Sequence, residues 1–137
     1  MSKIFPVESV INGQPTFTEP LASILSHLSE GGAISVLTPL EHHTDRQRRW
    51  IKGVCLRGLS EWSGETAEWW DRELKKQCFG AELLKRDTWL AENGQPVTRL
   101  TIKGVGKRNL TKFIENILSK AIEMGWPVSP PDSELRK

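Results

Sequence analysis

The chain has no tyrosine and little of several other features that mark a protein class. Its 137 residues include two cysteines and two methionines. Two cysteines cannot form the disulfide framework of a small secreted domain, and they do not stand as the CxxC pairs of a zinc site. No apolar run reaches the roughly 18 residues of a membrane-spanning helix, and no signal peptide is recognisable. We expect a soluble cytoplasmic protein in which Cys55 and Cys78 are reduced core residues.

The clustered residues that usually reveal an enzyme site are also missing. The sequence contains no HExxH, paired DxD, Walker A or GxGxxG motif. His42 and His43 are adjacent and have no further ligand at metal-binding spacing. Asp45, Asp71 and Asp87 stand singly, although a magnesium-dependent nuclease could gather distant acids in three dimensions, using Asp45, Asp71 and Glu73. We expect no enzymatic activity, no cofactor and no metal, with a junction or flap nuclease as the alternative.

The first 40 residues predict a hairpin, a helix and a strand. Asn12-Gly13 favours the tight turn of a hairpin within residues 3–18. Thr18 then predicts a helix start, and Gly31-Gly32 predicts its end. The run 33–40 is short and rich in β-branched residues, and Pro39 ends it, which predicts an inner strand.

The segment Thr44–Trp62 is the one around which the chain is organised. Thr44 with Gln47 three residues later has the spacing of a capping box, so a helix is expected to begin there. Ser63-Gly64 predicts its end. Winding the segment at roughly 100° per residue defines an apolar side that should face the core. That side consists of Ile51, Val54, Cys55, Leu59 and Trp62.

A second side of this helix concentrates cations around a large ring. It carries Arg46, Trp50 and Arg57 at helical spacing, with Arg49 and Lys52 nearby. Such a surface offers cations to phosphates and a ring on which any base can stack. The formal net charge is only +2, so a nucleic-acid site must arise from clustering rather than from bulk charge. The alternative is a solvated face with Trp50 at the periphery of the core.

A second helix is predicted from Thr66, its N-cap, to about Phe79. On it Trp69, Arg72 and Lys76 repeat the basic and aromatic pattern. The alternative is again an ordinary solvated face, with Trp69 packed under its neighbours.

The third quarter of the chain predicts a hairpin over 82–103 with Asn93-Gly94 in the turn. Its second strand alternates, so Arg99 and Lys103 should point outward from the sheet. The loop GVGKRN, 104–109, places Lys107 and Arg108 directly before a helix N-terminus, where backbone amides can hold a phosphate. A flexible connector is the alternative. The last helix should be capped by Asn109, bury an apolar face and stop at Gly125.

The stretches DRQRRW, SEWSGETAEWW and LTKFIENILSKAIEMGWPVSPPD, in this order, resemble the NinB or Orf family of phage recombination proteins. The resemblance covers roughly 33–132 and aligns Asp45, Gln47 and Arg48 with the family's helix-start motif. It implies an α/β homodimer that binds single-stranded and some duplex DNA without sequence preference. It also implies the host single-strand binding protein as a partner, and the host cell cytoplasm as the location.

Together these observations predict one α/β domain over 1–137, of the α+β kind, with 133–137 as a mobile tail. A small, mostly antiparallel sheet should pack against about four helices. The predicted function is a non-enzymatic single-stranded DNA-binding accessory that assists recombinase loading on DNA coated by single-strand binding protein. A protein-interaction module that binds an acidic tail is a further alternative. The predicted nucleic-acid contacts are Arg46, Gln47, Arg48, Arg49, Trp50, Lys52, Arg57, Trp69, Arg99, Lys103, Lys107 and Arg108.

Overall fold

The computed structural model describes residues 3–137, and this part of the chain divides into two compact units. The first unit ends at Val36, and the second is Leu37–Lys137. Where the sequence predicts one domain, the fold therefore divides between Val36 and Leu37. The described chain combines helices with two antiparallel two-stranded sheets, which confirms the predicted α+β class. None of its helices is both long and apolar enough to cross a lipid bilayer.

The first unit is built on the predicted hairpin. Strand β1 (Val7–Ile11) pairs antiparallel with β2 (Gln14–Phe17). Asn12 and Gly13 have φ values of 52° and 76°, the positive values that a tight hairpin turn of the mirror-image type requires. Asparagine and glycine tolerate this region of backbone space best, so the turn follows directly from the local sequence.

The rest of the first unit is less regular than predicted. Helix α1 (Leu21–Leu25) has only five residues, and its N-cap is Pro20 rather than Thr18. The inner strand predicted at 33–40 is wrong, because residues 33–38 have no regular structure and Pro39 begins a helix. Ile34 and Val36 are exposed. β-Branched residues favour strands only where a neighbouring strand accepts their hydrogen bonds, and the hairpin pairs only with itself.

The second unit opens with a long helical segment in three parts. These are α2 (Pro39–Arg49), a π-helical segment (Trp50–Leu56) and α3 (Arg57–Ser63). The segment begins six residues earlier than predicted, with Thr38 instead of Thr44 as its N-cap, because the Thr38 hydroxyl accepts a hydrogen bond from the backbone N–H of Glu41 at 3.1 Å. Thr44 is not the N-cap. It is buried within the helix, and its hydroxyl donates to the carbonyl of Glu41 at 3.1 Å.

The π-helical segment changes which side chains face the core. A π-helix has i→i+5 hydrogen bonds, so a projection at the α-helical angle fails within it and beyond it. Trp50 and Leu56 are buried, whereas Val54 and Trp62, both predicted as core, are exposed. The prediction was confirmed for the remaining core positions, Ile51, Cys55 and Leu59. The predicted end is also confirmed, since Gly64 takes a left-handed conformation with φ of 82°.

The remaining elements follow the predicted order. Helix α4 (Ala67–Gln77) is capped by Thr66, which accepts from the N–H of Trp69 at 3.1 Å. A short helix that the sequence does not predict, α5 (Gly80–Leu83), includes residues 82 and 83, which the sequence assigns to the hairpin, so the first strand begins only at Lys85. The hairpin is an antiparallel pair of strands, β3 (Lys85–Leu90) and β4 (Pro96–Thr101).

Helix α6 (Lys107–Met124) is the centre of the core of the second unit. Its N-cap is Gly106, so the predicted Asn109 cap is wrong; the Asn109 amide instead donates to the carbonyl of Leu83 at 3.1 Å. The predicted stop at Gly125 is confirmed by its φ of 71°. All of the predicted inward residues are buried: Leu110, Phe113, Ile114, Ile117, Leu118 and Ala121.

The C-terminal residues pack against the second unit, although the sequence predicts a mobile tail. They form a short 3-10 helix (Ser133–Arg136) in which Leu135 is buried. Arg136 donates two hydrogen bonds to the Glu115 carboxylate, at 2.7 and 3.0 Å. This contact lowers the pKa of Glu115. The charged composition of the tail does not reveal that one leucine anchors it.

Cys55 and Cys78 are free and buried, as predicted. Burial raises the pKa of Cys55 to about 12 and that of Cys78 to about 11. Because the thiolate is the nucleophile, neither thiol should react with iodoacetamide at neutral pH while the chain is folded. Mass spectrometry should find no adduct on the native protein and two adducts after unfolding in denaturant. Native-state labelling as fast as that of the unfolded chain would contradict this expectation.

Candidate nucleic-acid interface

Two predicted contact residues are structural. Trp50 is 6% exposed, and its indole N–H donates to the carbonyl of Ser129 at 3.1 Å. Gln47 is completely buried, and its amide donates to the Thr111 hydroxyl and the Leu135 carbonyl, both at 2.9 Å. The stacking role predicted for Trp50 and the binding role predicted for Gln47 are therefore wrong. Trp50 belongs to the core of the second unit, and Gln47 faces the C-terminal tail.

The cations of the long helical segment remain accessible, and three of them pair with carboxylates. Arg49 pairs with Asp45 at 3.0 Å, and Arg57 pairs with Glu61 at 3.1 Å. Arg46 lies 3.7 Å from Asp132. Exposed pairs of this kind contribute only about 0–1 kcal/mol, so a phosphate could replace the carboxylate at little cost. Lys52 is exposed and Arg48 is half-buried.

Packing of α2 against α6 places His43 of α2 within reach of the positive charge at the first turn of α6. The pKa of His43 is affected by the charges of two cations, Lys107 in the first turn of α6 and Arg46 on α2. Burial lowers the pKa of His43, and the positive charges of Lys107 and Arg46 lower it further. Glu134 of the tail opposes this effect.

The hairpin adds a further cationic group next to the start of α6. Lys85 of β3 lies so close to Gly104 that a Cβ there would be 3.3 Å from the Lys85 ammonium nitrogen. Gly104 has φ of 74°, which also favours glycine at this position. Lys103, Lys107 and Arg108 are exposed around the same loop. Cations of β3, of this loop and of the first turn of α6 thus lie around the beginning of α6.

One face of the hairpin carries an arginine over an aromatic ring. The guanidinium carbon of Arg99 lies 4.8 Å from the centroid of the Trp89 ring. The strand register places Trp89 opposite Val97 and Asp87 opposite Arg99, so these four side chains share one face. Trp89 is not among the predicted contacts. Only the register reveals it, because the register decides which residue of β3 accompanies Arg99.

Trp69 belongs to the edge of the core. It is half-buried, and its ring meets that of Trp70 edge-to-face with centroids 5.1 Å apart. Trp70 meets Trp126 in the same way, also at 5.1 Å. This packing matches the alternative considered for Trp69, a ring packed beneath its neighbours.

The acids of the nuclease alternative each pair with a base on their own helix. Asp45 pairs with Arg49 as described above. The Asp71 carboxylate lies 2.6 Å from the Lys75 ammonium, and that of Glu73 lies 3.5 Å from Lys76. Within residues 3–137, no group of three or more histidines, cysteines or acids is arranged to hold a metal ion.

Comparison with known proteins adds no relative. The chain matches no protein-family model, no curated protein and no solved structure. The resemblance to the NinB or Orf family therefore stays a prediction, carried by the sequence stretches that suggested it.

Proposed function

We propose that this chain is a non-enzymatic protein that binds single-stranded DNA without sequence preference and assists recombinase loading. One observation carries the DNA-binding part: exposed cations of β3, of the loop before α6 and of the first turn of α6 lie around the start of α6. They are Lys85, Lys103, Lys107 and Arg108. Arg46 of α2 acts with Lys107 on the same histidine, His43. Segments far apart in sequence contribute to one cationic region, as expected where a polyanion is bound.

The physical basis of this binding is the release of counterions. Each phosphate neutralised by a lysine or arginine releases condensed cations, so affinity falls linearly with the logarithm of salt concentration. Contacts to phosphates carry no sequence information, which accounts for the proposed lack of sequence preference. The recombination role, the homodimer and the host single-strand binding protein as a partner rest on the family resemblance alone.

A titration over several salt concentrations tests the DNA-binding proposal. Fluorescence anisotropy of a labelled oligo(dT) should show a clear salt slope for the wild type. Lys107→Ala and Arg108→Ala should each flatten that slope by about one unit. Lys120→Ala removes a cation that stands thirteen residues after Lys107 on α6, roughly 20 Å along the helix axis, and should leave the slope unchanged.

Absence of binding at low salt would reject the proposal. Binding of an acidic peptide without binding of the oligonucleotide would favour the protein-interaction alternative. Magnesium-dependent cutting of the oligonucleotide by purified protein would favour the nuclease alternative.

A further inference from the structure

The hairpin β3–β4 presents a tryptophan ring that the fold leaves open to solvent. Trp89 is 41% exposed, whereas Trp50 and Trp70 are buried in the core. Its ring lies beneath the Arg99 guanidinium, at 4.8 Å. We propose that Trp89 and Arg99 form the site on which bases of single-stranded nucleic acid stack. This inference rests on the proposed function. It assigns the base-stacking contact to Trp89, because Trp50, for which the sequence predicts that contact, is buried.

The register of the hairpin makes this pair a prepared platform. Trp89 and Arg99 are diagonal neighbours on one face, a separation that a long side chain and an aromatic ring can bridge. The guanidinium is attracted to the face of the ring and restricts its rotamers. A ring held in place loses less conformational entropy when a base stacks on it. A base can stack on either plane, because arginine guanidinium groups also stack on bases.

The surroundings of the pair supply the charge that a nucleic-acid strand needs. On the same face of β3, Lys85 stands four residues before Trp89 and lies beside Gly104. Same-face residues of a strand are about 6.7 Å apart at each step of two, so Trp89 and Lys85 span two such steps. A nucleic-acid strand that lies along this face would contact the Trp89 ring at one end and the cations near Lys85 at the other. Asp87 lies between them and opposite Arg99, so the face is not uniformly positive.

A purely structural role for Trp89 has to be separated from base stacking. The ring stands opposite Val97, and aromatic side chains opposite β-branched ones stabilise hairpins. Valine at position 89 keeps an apolar, β-branched side chain that suits a strand, but it has no flat ring. Trp89→Val therefore removes the stacking surface while sparing the hairpin.

The decisive experiment compares two probes of equal length: oligo(dT) and an abasic oligonucleotide that carries phosphates without bases. Trp89→Val should weaken oligo(dT) binding by about 5-fold to 150-fold, the range found when a stacking aromatic is removed. Binding of the abasic probe and of a duplex, whose bases are stacked inside, should not change. Trp62→Leu is the matched control and should leave oligo(dT) binding unchanged. It also removes an exposed tryptophan, since Trp62 is 56% exposed, but this residue lies on a different element, α3.

Two variants of Arg99 test the other half of the site. Arg99→Lys keeps the charge but loses the planar group, so oligo(dT) affinity should fall with an unchanged salt slope. Arg99→Gln should lower the affinity and flatten the slope by about one unit.

The outcomes distinguish this inference from the proposed function. If the wild type binds oligo(dT) but Trp89→Val binds it equally well, the stacking site is rejected and the proposed function stands. Equal weakening of oligo(dT) and the abasic probe would also reject the stacking site, because it would indicate a structural effect. If the wild type binds no oligonucleotide, both proposals fail together.

Discussion

Replacing Ile114 with alanine should lower the free energy of unfolding of the second unit by about 2–5 kcal/mol. Ile114 is 0% exposed at the centre of α6, and the core around it is closely packed. Removing three carbons loses the transfer free energy of the side chain and leaves a cavity that the neighbours fill only in part. Urea unfolding followed by far-ultraviolet circular dichroism measures the change.

The same helix provides the matched control. Ile122 is 86% exposed and stands eight residues further along α6. Ile122→Ala should change the free energy of unfolding by less than about 0.5 kcal/mol, the usual range for surface sites. Both substitutions carry the same gain in helix propensity, so their difference reports burial alone. Equal losses of stability at the two positions would mean that the face of α6 carrying Ile114 does not pack into the core.

Trp50→Ala should be at least as damaging, lowering the free energy of unfolding by about 3–5 kcal/mol. The ring is 6% exposed in the core, and its N–H bonds to the Ser129 carbonyl. Trp50→Phe keeps an aromatic ring but loses the hydrogen bond and part of the volume, so its loss should be smaller. Urea unfolding of the two variants beside the wild type gives both values.

The Trp50 variants also decide how DNA-binding data are interpreted. Because Trp50 is core, Trp50→Phe should bind oligo(dT) as the wild type does at temperatures where both are folded. Weak binding by Trp50→Ala would then reflect unfolding rather than a lost contact. A fully folded Trp50→Phe that binds oligo(dT) weakly would overturn the assignment of Trp50 to the core.

The elements predicted correctly are those whose signals lie within a few residues of one another. Asn12-Gly13 specifies a hairpin turn. Thr66 caps α4 because its hydroxyl accepts a hydrogen bond from the backbone N–H of Trp69, three residues later. The apolar periodicity of α6 is regular over five turns, and every residue predicted to be buried is buried. Turn geometry, capping and helical periodicity are local properties, so a sequence carries them without knowledge of the fold.

The errors arise where two local signals compete or where a neighbour decides. Thr44 with Gln47 has capping-box spacing, but so does Thr38 with Glu41. Thr38 is directly followed by Pro39, and proline suits the first turn of a helix. The π-helical segment has no signal in the sequence that an α-helical projection could detect. Within and beyond this segment the projection misplaces Val54 and Trp62, which are exposed, and Leu56, which is buried.

The register of the β3–β4 hairpin illustrates the same limit. A two-residue turn at Asn93-Gly94 would pair Trp89 with Thr98 and place its ring on the face opposite Arg99. The observed hairpin pairs Trp89 with Val97, because the loop spans Ala91 to Gln95. One residue of register therefore decides whether Trp89 and Arg99 meet.

By itself, the sequence determined the two hairpins, the cap of α4, the buried face of α6, and the set of cations from which an interface could form. Tertiary structure alone decided which of these residues meet. Packing of α2 against α6 places His43 within reach of Lys107, and the hairpin register brings Arg99 over Trp89. The reason is that secondary structure depends on neighbours along the chain, whereas a binding surface depends on distances between segments, which only the packed core establishes.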